Sequence, residues 1–217
     1  MKTDRPEPKQ ERVYGLLRAD ILRCDLRPGQ LIIEAELAER YGTSKTPVRQ
    51  ALSRLAVENI VDTLPRRGWM VRHITVRDVR HVYLLRRLLE PEAAAMAAEL
   101  ATPDDIARLE RLDEEQWTAG HEEMDFSLHS GFHLAVAELA RVPRMTEILA
   151  GLHTHVQWFL RVQALDEGRV PRKHRHEKLL AALRDRDPRA ARDVMTHNLA
   201  AADIRIANAI VGDLDPA

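Results

Sequence analysis

Tyr41-Gly42-Thr43-Ser44-Lys45-Thr46-Pro47-Val48-Arg49-Gln50-Ala51-Leu52-Ser53-Arg54-Leu55 is the stretch on which the reading of the chain depends. Just before it, Leu37 and Ala38 share a helical face, and Gly42 suits the left-handed turn that ends such a helix. Ser44 is of the type that caps a second helix. Pro47 falls in that helix's first turn, where its missing amide hydrogen would have had no partner. Measured from Lys45 at about 100° per residue, Val48, Ala51, Leu52 and Leu55 gather within an arc of roughly 100°. Arg49, Ser53, Thr46 and Gln50 fall between about 40° and 140°. The spacing predicts a helix-turn-helix whose second helix has one core face and one free face.

A free polar face has two readings. Most short amphipathic helices carry one that is simply solvated. As a DNA reader, Lys45 and Arg49 reach guanine edges or phosphates, and Thr46 and Gln50 reach base edges or the thymine methyl, with Ser44 at the helix start. The residues that follow favour the second reading. Val61 to Leu64 and Trp69 to Arg72 are β-prone runs separated by Pro65-Arg66-Arg67-Gly68, a hairpin signal with two cations at its tip. A helix-turn-helix followed by a basic hairpin is a winged helix, and Arg66, Arg67 and Gly68 become candidate wing contacts to phosphate or the minor groove.

These residues resemble the GntR superfamily of bacterial transcription regulators. Arg27-Pro28-Gly29 before Leu31, the run Ser44 to Leu52, and Pro65-Arg66-Arg67-Gly68 match that family in order and spacing. The family usually has Arg at the position of Lys45 and an acidic residue at that of Gln50. Lys lacks the bidentate fork of Arg, which leaves room for a different operator preference.

Composition is that of an ordinary globular protein, with 45% hydrophobic and 31% charged residues. The net charge of −1 conceals a division. Residues 1–75 hold 14 Lys and Arg against 10 Asp and Glu, whereas the remainder holds 19 against 24. The basic excess coincides with the expected DNA-binding half. Cys24 is the single cysteine, which excludes an intrachain disulfide and a thiolate metal cluster. No apolar run approaches the roughly 18 residues of a membrane span, and the first residues lack a signal peptide's apolar stretch, so a cytoplasmic protein is expected. The expected organisation is a disordered arm over 1–9, a winged helix-turn-helix over 10–74, a helical domain over 75–211 and a loose tail over 212–217.

From Val76 onward the periodicity is helical throughout. Segments fall near Val76 to Leu100, Pro103 to Ala119, Met124 to Arg141, Pro143 to Leu165, Val170 to Arg186 and Pro188 to Val211, an all-α bundle of about six helices. The expected fold class is therefore mainly α. Arg87-Leu88-Leu89-Glu90-Pro91-Glu92-Ala93-Ala94, Phe132-His133 and the stretch from His176 to Leu199 resemble the FCD-type ligand-binding domain of the FadR subfamily of GntR regulators.

His129 and His133 lie one turn apart on a face shared with Phe126, Val136 and Ala140. That is the spacing two ligands on one helix need to meet one ion. His176 sits on a face with Leu179, Leu180 and Leu183. A single inward histidine is more often a satisfied core residue; three together turn the reading towards a metal. The resemblance implies a divalent metal held by one Asp and three His, and here those positions carry His129, His133, His176 and Asn198, with His197 beside the last as an alternative and a metal-free site as another. Three imidazoles and an amide oxygen suit zinc or nickel. The resemblance also implies that Arg87 grips an anionic effector, and Arg205 falls near Asn198, where it is either a second effector contact or a buried ion pair. Arg86 beside Arg87 is the alternative register. His153 and His155 either line the pocket or only pack. The reading is a ligand-responsive transcription regulator, a homodimer on a pseudo-palindromic DNA operator answering to a small carboxylate, with repression the family habit. The alternative is a metal-dependent enzyme using the histidine cluster, but His133-Leu134-Ala135-Val136 lacks the general base of a His-Glu-x-x-His helix.

Overall fold

A computed structural model describes residues 8–118, 126–167 and 176–212. The chain forms two compact units, Met1–Ile74 and Thr75–Ala217. The first contains α1 (Lys9–Leu22), β1 (Leu31–Ile32), α2 (Glu34–Arg40), α3 (Lys45–Val57), β2 (Val61–Leu64) and β3 (Gly68–Val71). Helix α1 begins at Lys9, inside the stretch expected as a disordered arm, because the Pro8 carbonyl already accepts the Arg12 amide at 3.2 Å. The rest of that arm, residues 1–7, lies outside the described residues. The helix ends at Leu22, and Cys24 beyond it takes a left-handed φ of 62°.

Helix α1 packs on α3. Val13, Leu17 and Ile21, four residues apart, are fully buried, as are Val48, Leu52 and Leu55. Each such side chain contributes about 1.5–3 kcal/mol, so two interlocked aliphatic ridges hold the unit together. The Tyr41 hydroxyl donates to Asp20 at 2.7 Å and Arg40 pairs with the same carboxylate at 3.2 Å, tying the end of α2 to α1.

Strand β1 is too short to leave a period in the sequence and was not expected. It completes an antiparallel sheet of order β1-β3-β2, with Leu31 opposite Met70 and Leu64 opposite Gly68. Gly29 makes this pairing possible. Its amide donates to Val71 O at 2.8 Å, Val71 returns a bond to Gln30 O at 2.9 Å, and a Cβ at Gly29 would lie 2.4 Å from the His73 ring. Its φ of 79° is also left-handed. Gly29→Ala is expected to cost about 1–2 kcal/mol for the backbone alone, read by denaturant unfolding. A variant as stable as the wild type would show that the loop relaxes freely.

The second unit is all helical among the described residues: α4 (Val76–Leu100), α5 (Pro103–Thr118), α6 (Phe126–Leu139), α7 (Pro143–Glu167), α8 (Glu177–Arg184) and α9 (Pro188–Gly212). Helix α4 starts in a capping box, with Asp78 N donating to the Thr75 hydroxyl at 3.2 Å and Thr75 N donating back to the Asp78 carboxylate at 3.0 Å. Thr102 and Asp105 repeat the exchange at α5. Helix α4 runs unbroken through Pro91, which removes the amide that would have reached the Arg87 carbonyl. Its buried stripe Val79, Val82, Tyr83, Arg86, Glu90, Ala93, Ala94 and Ala97 supports it instead, and small residues in this stripe allow close packing along α9 and, through Ala93, Ala137, Ala140 and Leu149, between α6 and α7. Of the expected helix over 170–186, only α8 is described. Residues 119–125, 168–175 and 213–217, which include the expected start at Met124 and most of the expected tail, lie outside the described residues.

Candidate functional site

In the first unit, Val48, Ala51, Leu52 and Leu55 are buried, and Ser44, Lys45, Thr46, Arg49, Gln50 and Ser53 are exposed along one side of α3. Gly42 turns between α2 and α3 with φ 61°. Ser44 occupies the N-cap position with extended backbone but makes no side-chain capping bond, which leaves its hydroxyl outside the helix's own bonding. Arg66, Arg67 and Gly68 are exposed at the hairpin, where Arg66 takes φ 63° and Arg67 N donates to Leu64 O at 3.0 Å. One contact was not legible in the sequence. Glu34 on α2 receives the Arg49 guanidinium bidentately, Nε to Oε1 at 3.0 Å and Nη2 to Oε2 at 2.8 Å, and also accepts the Trp69 indole hydrogen at 3.0 Å. The Arg49 bonds lower the Glu34 carboxyl's pKa, with Trp69 adding to them against its partial burial. One carboxylate thus fixes the arginine of α3 to α2 and to the wing strand.

The second unit brings three imidazoles together. His133 and His176 are buried and His129 is half-buried, and one ligand-capable nitrogen from each lies within 4.8 Å of the others. The rings of His129 and His133 are 4.9 Å apart, those of His133 and His176 5.1 Å, and Phe132 stacks on His176 at 3.9 Å. His176 stands at the N-cap of α8 and not within a helix, because Asp113 of α5 holds both its backbone amide (3.3 Å) and its Nδ1 (2.7 Å). Glu90 of α4 lies 2.8 Å from His133 Nδ1 and 3.0 Å from His153 Nε2, and accepts Arg86 Nε at 2.5 Å.

Burial sets the protonation here. It pushes His133 down to about 3 although Glu90 opposes it, and takes His129 well below its usual value, with neighbouring imidazoles adding to the effect. Burial works against the Glu90 carboxylate, yet Arg86, His133 and His153 together hold it well below the usual range. Neutral imidazoles beside an ionised carboxylate are the protonation states that coordination requires. The donor set fits a divalent ion on a further ground: His129 Nδ1 is buried without a hydrogen-bond partner. Glu90, His133 and His153 form a second group of ligand types, but the Arg86 guanidinium already supplies its positive charge. That group is a buried ion network.

The description of bacterial regulatory proteins of the gntR family matches residues 9–71, and that of the FCD domain matches residues 81–201. The chain is a GntR-family regulator with an FCD domain. It is 31% identical to the HTH-type transcriptional regulator McbR of Escherichia coli K12, over 81% of this chain and 84% of that one. It is 28% identical to the HTH-type transcriptional repressor RspR of the same organism, over 89% and 86%. The solved structure of E. coli McbR/YncC superposes with a TM-score of 0.78 at 28% identity, covering 93% and 98%. The winged helix-turn-helix and the helical domain are both as the sequence led us to expect, and with such relatives this GntR protein is a DNA-binding transcription regulator and not an enzyme. Among its described residues no helix is long and apolar enough to cross a membrane.

The remaining candidates of this GntR regulator fall unevenly. Arg86, not Arg87, is the arginine that enters the bundle: it is 2% exposed above the Tyr83 ring, whereas Arg87 is half-buried. Residue 86 continues the α4 stripe from 79, 82 and 83, and 87 lies at its side. On α9 the buried ridge is Ala191, Met195 and Leu199, which puts Asn198 at the flank of the inner arc, half-buried, and not at its middle; His197 is exposed on the other side. Arg205 lies on α9, but its side chain is outside the described residues. His153, left open between lining and packing, is bonded to Glu90, and the His155 ring lies tilted beside Phe159 with centroids 6.0 Å apart.

Glu34→Gln tests the contact made by Arg49. Stability should change little, because the arginine end of the pair is exposed to solvent. The ratio of operator to non-specific DNA affinity should fall roughly fivefold or more, from the lower end of what a bidentate base contact is worth. An unchanged ratio in a binding titration would mean that Arg49 finds its DNA position without Glu34.

Proposed function

We propose that this regulator is a repressor whose helical domain holds a divalent metal, zinc or nickel, and senses a small carboxylate there. The observation that carries the proposal is the convergence of His129, His133 and His176 within 4.8 Å in the bundle of an FCD domain. When bound, the ion would offer a carboxylate an open coordination position. His129, His133 and His176 would hold it, with Asn198 as the candidate fourth ligand. Repression is supported by the resemblance to RspR.

Ser44, Lys45, Thr46, Arg49 and Gln50 would read the operator, and Arg66, Arg67 and Gly68 would add backbone contacts. A homodimer on a pseudo-palindromic site is supported by Leu84, Leu85 and Leu88, which leave 49%, 45% and 61% of their surface exposed on α4. Arg87 and Arg205 stay candidates for the effector's anionic group, and Arg86 is committed to Glu90. A protein that must meet the chromosome works in the cytoplasm.

Metal and effector can act only by binding the DNA-competent and DNA-incompetent states unequally. The test is fluorescence anisotropy on a duplex selected from a randomised library, with zinc-loaded and chelated protein over rising salt. Affinity should fall steeply and linearly on logarithmic axes with salt. Zinc should move it by roughly 5- to 150-fold at fixed salt. Equal affinity with and without zinc would overturn the coupling, and a flat salt dependence would overturn the proposed phosphate contacts.

A further inference from the structure

Two of the three imidazoles share a feature that the ligand pattern alone does not require. His133 Nδ1 meets Glu90 Oε2 at 2.8 Å, and His176 Nδ1 meets Asp113 Oδ1 at 2.7 Å. The carboxylates come from different helices, α4 and α5, and both are buried, at 2% and 6% exposure. An ionised carboxylate can only accept, so each fixes the hydrogen of its imidazole on Nδ1 and leaves Nε2 with the lone pair. A free neutral imidazole is not confined to that tautomer, and a ring hydrogenated on Nε2 cannot coordinate through that atom.

We propose that Glu90 and Asp113 are positioning residues for the metal centre: each presents the Nε2 lone pair of its histidine towards the point that His129 also faces. This rests on the metal reading above. The Asp113 Oδ1 also accepts the His176 backbone amide at 3.3 Å, so it sets the ring's place and its tautomer together. Glu90 carries the Arg86 charge as well, which makes Asp113 the cleaner residue to change. Outer carboxylates of this kind orient a ligand and raise its basicity, and their removal costs about 10–100-fold in metal affinity.

The test uses the full-length protein with zinc alone as the probe. In the metal-free wild type, long-range ¹H–¹⁵N spectra of the imidazoles should show His133 and His176 hydrogenated on Nδ1. Asp113→Ala should move His176 towards the Nε2-hydrogen form and weaken zinc about tenfold or more in chelator competition. Asp113→Asn keeps an accepting oxygen; it should retain the wild-type tautomer and most of the affinity, and it serves if the alanine variant does not fold. A wild-type His176 hydrogenated on Nε2, or an Asp113→Ala protein with unchanged tautomer and zinc affinity, overturns the positioning role while leaving the metal centre standing. A wild type that takes up no zinc overturns the metal reading and this inference with it.

Discussion

Arg49→Ala should abolish specific operator binding while the helical content and the oligomeric state stay as in the wild type. Arg49 lies on the exposed side of α3, opposite the ridge of Val48, Leu52 and Leu55, so truncating it removes nothing from the core. What goes is a guanidinium held bidentately by Glu34, itself tied to Trp69 of the wing. A good bidentate base contact is worth about 1–3 kcal/mol of discrimination. In a symmetric dimer the loss counts twice, a factor of roughly 30 or more. The salt slope should fall by about one per lost phosphate contact if the arginine touches the backbone, and the sequence preference should collapse if it reads a base. Retained affinity and preference in an anisotropy titration would remove α3 from the recognition role.

Glu90→Ala is expected to be the most damaging single change to the helical unit. It strips Arg86 of its partner in a site where that side chain is 2% exposed, and leaves His133 Nδ1 and His153 Nε2 without their acceptor. Breaking a buried pair from one side costs about 3–5 kcal/mol. For a unit of this size that corresponds to a fall in Tm of roughly 10 °C or more. Replacing both members, Arg86→Met with Glu90→Met, should cost less than the sum of the two single changes, since no charge is then stranded. Additive losses would show that the two side chains are energetically independent despite their contact.

What was legible in the sequence follows from the range of the interactions. The faces of α3, with Val48, Ala51, Leu52 and Leu55 inward and the polar side chains outward, depend on a period of 3.6 residues that any short window displays. The spacing of His129 and His133 is equally local. The groups that hold these side chains are not. Glu34 reaches Arg49 across 15 positions, Glu90 reaches His133 across 43 and Asp113 reaches His176 across 63. No periodicity links such positions, and only the packing of α4 and α5 against α6 and α8 brings them together. Arg86 and Glu90 did carry a local signal, an opposite-charge pair four residues apart. Combined with the apolar positions on either side, that signal distinguishes Arg86 from Arg87. On α9 the alanines blur the wheel, because they are found on buried and exposed faces alike; Leu199 and Met195 define the ridge and shift Asn198 to its edge.

Elemental analysis of protein purified without chelators, paired with melting scans before and after chelation, tests the proposed metal centre. About one divalent ion per chain is expected, with a Tm that falls on chelation and both effects reduced in His133→Ala, since bound metal stabilises the folded state by mass action. A wild-type protein with no metal, whose Tm is unmoved by chelator or added zinc, would contradict it and leave His129, His133 and His176 as core histidines.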